Sequence, residues 1–165
     1  MTETIGVMFI FFVLILFGIV FYSKYSETAY QEKQEELMGK KAVEITSKTI
    51  FLPELICSRG QAEPELYCLD MLKLKQAQKT FKDNFGEYYF DLFPYSRILV
   101  EEIYPGKSKW VLYDKPKKVK LANGTSVNSQ QKEATHFLLT LKDEVKGKEK
   151  KGEYSFGVLT VEVYS

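Results

Sequence analysis

One histidine, His136, and two cysteines are all that this 165-residue chain offers of the side chains most used for metal binding and acid-base work. A single histidine makes no catalytic triad, and its surroundings, Ala-Thr-His-Phe-Leu-Leu-Thr, are those of a packed or edge strand residue. A lone cysteine pair with no histidine nearby is not a zinc site. There is no Gly-rich phosphate loop and no HExxH, GxSxG or DxDxDG segment. The acid pairs Glu101-Glu102 and Asp143-Glu144 are sequence neighbours, which in a strand point to opposite faces. The expectation is a protein that is not an enzyme, with no metal and no cofactor. Net charge is lacking too: 23 basic residues against 22 acidic leave +1, so no global field draws nucleic acid.

Charge and proline are absent altogether from residues 5 to 22 (IGVMFIFFVLILFGIVFY), eighteen residues in a row. At about 1.5 Å per residue that run reaches roughly 27 Å, near the length needed to cross a ~30 Å hydrocarbon core, and the flanking residues cover the shortfall. A cleavable signal peptide carries a basic n-region and a small-x-small cleavage step. Neither is found around this run, so it is expected to stay on the protein as a membrane helix. Gly6 and Gly18 are twelve apart, too far for a small-xxx-small dimer face. Glu3, just before the run, suits a helix N-terminus as a solvated acid. It also suits a second role, pairing with a neighbouring subunit's amino group at the rim of an apolar bundle and setting its register.

Beyond the run, residues 23 to 50 hold no proline and are dense in Glu, Lys, Gln, Leu and Ala, so the helix is expected to continue out of the bilayer. Tyr30, Leu37, Met38, Ala42 and Ile45 form its apolar stripe, and Phe51-Leu52-Pro53 ends it. A shorter helix is expected over residues 69 to 81, with Leu69, Leu72, Gln76/Ala77 and Phe81 on one face. The pattern then changes to strands over residues 97–104, 108–114, 134–142 and 153–164, with Pro105-Gly106-Lys107 as a tight turn and an edge strand over 117–121. The last strand alternates most cleanly, Tyr154, Phe156, Val158, Thr160, Glu162 and Tyr164 against Ser155, Gly157, Leu159, Val161 and Val163.

The expected fold class is therefore α+β: a long N-terminal transmembrane and amphipathic helix (1–50), a helix and loop connection (51–95), and a small antiparallel β head (96–165). Two readings of Cys57 and Cys68 stand. One is a disulfide closing the loop between them, worth roughly 3 kcal/mol and needing an oxidising compartment. The other is two unrelated buried thiols. Asn123-Gly124-Thr125 matches an N-glycosylation acceptor in a polar loop. The lysine-rich segment 146–152 reads as a solubilising hairpin tip, and residues 83–95 (DNFGEYYFDLFPY) give no clear pattern.

An acid, an uninterrupted apolar helix, an amphipathic continuation and a β head with a cysteine pair resemble a type IV pilin or pilin-like protein. The piece Thr4-Ile5-Gly6-Val7-Met8, followed by Phe and Leu, is similar to the apolar N-termini of archaeal pilin-like proteins, where a Pro/Glu-x-Ile-Gly-Val opening is common. The resemblance covers residues 1 to 50 as architecture and 1 to 20 as sequence. It implies a subunit whose helices pack into a filament core through Ile5, Gly6, Phe9, Phe12 and Leu16, with Glu3 setting register. The partners implied are further copies of the chain and a membrane, with no nucleic acid. Lys24, Lys33, Lys40 and Lys41 follow the span, which by the positive-inside rule alone puts the head in the cytoplasm. A removed basic leader reverses that asymmetry, and the head is expected outside, on a single-pass membrane protein or a cell-surface filament. The alternative from another class is a single-pass anchor for an extracytoplasmic binding module.

Overall fold

The structure, a computed structural model, describes residues 2–59, 63–84, 86, 88–120, 126–128, 132–145 and 152–164. Asn123 and residues 146–151 of the lysine-rich tip lie outside the described residues. The fold is α+β, and the chain divides into two compact units, Met1–Leu37 and Met38–Ser165.

Helix α1 (Thr2–Ile50) is one continuous element. From Met38 onward it presents Met38, Ala42, Ile45, Thr46, Thr49 and Ile50 to the core of the second unit, all buried. The two threonine hydroxyls donate back to the carbonyls of Ala42 and Ile45, so no buried hydroxyl goes unpaired there. The expected apolar stripe is thus half right. Tyr30 and Leu37 belong to the first unit and are 65% and 50% exposed: periodicity says which residues share a helix face, not what covers that face.

Strands β1 (Ile56–Arg59) and β2 (Glu63–Asp70) form an antiparallel pair where a loop connection was expected. Asp70 then caps α2 (Met71–Asp83): its carboxylate accepts from the amides of Leu72 at 2.8 Å and Lys73 at 3.3 Å. The cap starts the helix at Met71 and leaves Leu69 in the sheet. The buried face is accordingly Met71, Leu74, Ala77 and Phe81, while Leu72 stays exposed. The short helix α3 (Tyr89–Leu92) crosses the stretch that had no readable pattern. It delivers Tyr89 to Phe81, ring centroids 4.0 Å apart, and Phe93 follows it into the same cluster.

Strands β3 (Ser96–Tyr104), β4 (Lys109–Asp114), β7 (Lys132–Asp143) and β8 (Glu153–Tyr164) fall within two residues of expectation at each end. The short β5 (Lys118–Lys120) pairs with β6 (Ser126–Asn128) in a sheet of its own. The main sheet runs β1-β2-β7-β8-β3-β4. It is mixed rather than wholly antiparallel, since β2 joins β7 in parallel over Cys68 to Thr140, Leu69 to Leu141 and Asp70 to Lys142. Its inner face holds Ile98, Val100, Trp110, Leu141, Leu159 and Val161, buried in one core with α1 and α2. Gly157 sits opposite Leu139 where the layers close: a β-carbon there would lie 2.7 Å from Leu141 Cδ1 and 3.1 Å from the Glu101 carbonyl.

Candidate functional site

In the first unit the feature that calls for a function is the apolar run. Ile5, Phe9, Phe12 and Leu16 recur at spacings of four, three and four, which stacks them along one face of α1, with Gly6 a third of a turn away. They are 69%, 68%, 57% and 62% exposed. The helix is long and apolar enough to cross a membrane. Glu3 stands in its first turn, one residue past Thr2.

In the second unit the cysteines are joined: Cys57 on β1 and Cys68 on β2 form a disulfide with Cα atoms 5.3 Å apart. It closes over a bulge in β2. Ile56 pairs with Leu69 and Cys57 with Glu65, so residues 66–68 have no partners on β1. Tyr67 takes a positive φ of 58° there, and its carbonyl accepts from the Thr140 hydroxyl. The bulge turns Leu66 and Tyr67 outward, and the Tyr67 ring rests 5.8 Å from Phe137.

A cleft of about 470 Å³ opens beside the C-terminal part of α1. Met38, Ile45 and Val163 give it apolar walls, and Lys41, Lys48 and Lys117 bring three cations to it against Glu44 and Asp91. Lys48 is engaged with Glu44 at 2.7 Å, and that hydrogen bond with its charge holds the Glu44 carboxyl below its usual range. Lys41 and Lys117 make no ion pair among the described residues. Lys41 and Lys48 are seven residues apart on α1, a spacing that sets them on one helix face and that the sequence carries. Lys117 and Tyr164 come from distant stretches, so no local signal placed them beside those two.

Next to the cleft a ladder of charge crosses four strands. Arg97 of β3 reaches Asp114 of β4 at 3.6 Å and Glu162 of β8 at 3.8 Å, and Lys132 of β7 reaches Glu162 at 3.1 Å. The Tyr164 hydroxyl donates to Glu162, and burial, aided by the carboxylates of Glu162 and Asp114, pushes that phenol up to about 12. For Glu162 burial opposes ionisation, yet Lys132, Tyr164 and Arg97 outweigh it and the carboxyl titrates below its ordinary 4.5. A depressed carboxylate stabilises the fold above the unfolded value and loses that contribution as pH falls through the folded one. Glu162→Gln is therefore expected to lower stability by about 1 kcal/mol at neutral pH and to flatten the acid limb below pH 4.5, read as chemical-denaturation midpoints against pH.

Elsewhere the chemistry is sparse. His136 lies on β7 and shares a 3.0 Å hydrogen bond with Thr160 across the strand pair, the position of a strand residue. Ser155 Oγ is buried with no hydrogen-bond partner among the described residues, on the wall of a void of about 20 Å³ beside Glu102. Among the described residues no three His, Cys, Asp or Glu side chains are grouped to hold a metal ion. No protein-family model matches the chain, and no curated protein and no solved structure matches it either.

Proposed function

We propose that this chain is the structural subunit of a type IV pilus-like filament, assembling through its N-terminal helix, with the β head displayed outside the cell for adhesion or motility. One observation carries the reading. The helix that inserts Met38, Ala42 and Ile45 into a folded core also carries an eighteen-residue apolar run whose side chains lie bare. Uncovered, such a surface is strongly unfavourable in water, at about 25 cal/mol per Å². Lipid covers it before assembly and the helices of neighbouring copies cover it afterwards. The Cys57–Cys68 bridge supports an oxidising space around the head.

The test is electron microscopy of the full chain after detergent extraction. Fibres that persist support the subunit, and strictly monomeric particles remove it. Glu3→Ala is the finer probe: loss of a register-setting pair is expected to cut assembly about tenfold, measured as the pelleted fraction, and unchanged assembly discards that role for Glu3.

A membrane-anchored binding module has its own supporting observation. Tyr104, Phe156 and Leu138 are each more than 60% exposed, and Tyr104 and Phe156 are paired across β3 and β8. An apolar strip of this kind on an open sheet face is a common mark of a binding surface. Monomeric particles in the same images favour this second reading.

A further inference from the structure

We infer that the lysine-lined cleft of the head receives the acidic stretch of α1 from a second copy, with Lys41 of one copy set against Glu32 of the next. This rests on the subunit reading above and names one of its contacts.

Charge complementarity is the ground. Glu32 and Glu35 are exposed and make no ion pair among the described residues; Glu36, one turn on from Glu32, already has a partner within the chain. The cleft presents Lys41 and Lys117, also without ion pairs among the described residues, although the charge of Lys41 acts on Glu44 too; its third cation, Lys48, is held by Glu44. Asp91 on the cleft wall leaves the site with an excess of positive charge. An acidic helical segment fits that excess, and the apolar floor formed by Met38, Ile45 and Val163 accepts the aliphatic stems of glutamates.

The basic cleft and the acidic stretch are different surfaces, so the contact is heterologous: each copy's cleft meets the next copy's glutamates, and the series stays open to further copies.

Charge reversal in the full-length chain tests this. Lys41 and Glu32 are both exposed, so neither variant should disturb the fold, which unchanged thermal unfolding of each variant verifies. Lys41→Glu alone and Glu32→Lys alone are each expected to lower assembly about tenfold, read as pelleted fraction and fibre length. The double variant Lys41→Glu/Glu32→Lys should reassemble with itself. Carbodiimide coupling of a mixture of isotopically light and heavy protein should join a light Glu32 peptide to a heavy Lys41 peptide. If the wild-type chain is monomeric, the filament reading and this contact fall together. If the wild type assembles and Lys41→Glu leaves it intact, or the double variant fails to recover, or the coupled peptides carry one isotope only, the contact alone is overturned.

Discussion

Phe81→Ala is expected to cost about 3–5 kcal/mol of head stability, the range for emptying a fully buried aromatic site. Phe81 has no exposed surface and is the link between α2 and the aromatic stretch that follows it. Its ring stacks on Tyr89 at 4.0 Å and lies 6.2 Å from Phe93, and Phe93 in turn meets Tyr113 of β4 edge-on at 5.8 Å. Truncation removes the transfer energy of the ring and strands Tyr89 and Phe93 around a hole that α3, only four residues long, has little means to close. Phe81→Leu keeps most of the volume and should lose markedly less. Denaturant unfolding of both variants, followed at the single Trp110 and the tyrosines, checks the order. A loss under 1 kcal/mol for the alanine variant would show that this cluster is not part of the cooperative core.

Replacing both cysteines, Cys57→Ser with Cys68→Ser, is expected to cost roughly 3 kcal/mol, the value for freeing a short closed loop in the unfolded chain. The bridge spans a sequence separation of 11 and joins β1 to β2 across the bulge at residues 66–68. Both cysteines are fully buried, so the serine hydroxyls add an unpaired polar group to the loss. The effect should be local first. Amides of β1 are expected to exchange faster by orders of magnitude, while β3 and β8, paired along almost their whole length, keep their protection. Hydrogen exchange of the oxidised chain and of the double variant reads this directly. Equal exchange at β1 in the two proteins would mean that Lys73, which reaches the Ile56 carbonyl at 2.7 Å, and Lys142, which reaches the Ser58 carbonyl at 3.0 Å, hold the strand unaided.

Much of this fold is written in local periodicity. Strand β8 alternates so regularly that its inner set, Ser155, Gly157, Leu159, Val161 and Val163, is buried throughout, with Thr160 alone of the other set buried beside it. The apolar run and the helix-rich segment after it are continuous in α1, as composition alone required. The hairpin of β1 and β2 is different. Pro64 and the bulge at residues 66–68 break the period-two signal, and the end of β2 is set by Thr140 to Lys142, some seventy residues away. The aromatic stretch was unreadable for a related reason: Tyr89 is buried and Tyr88 half exposed by what lies opposite them, since both are the same residue on the same short turn.

The candidate surfaces divide in the same way. By itself the sequence determined the long apolar helix and the residues of the four long strands, because each depends on spacing within one element or on composition. The pairing of Cys57 with Cys68, the parallel entry of β2 and the cleft that brings Lys117 and Tyr164 beside Lys41 were decided by tertiary structure. Each of these depends on which distant segments pack together, and that is set by the burial of the shared core rather than by any local pattern.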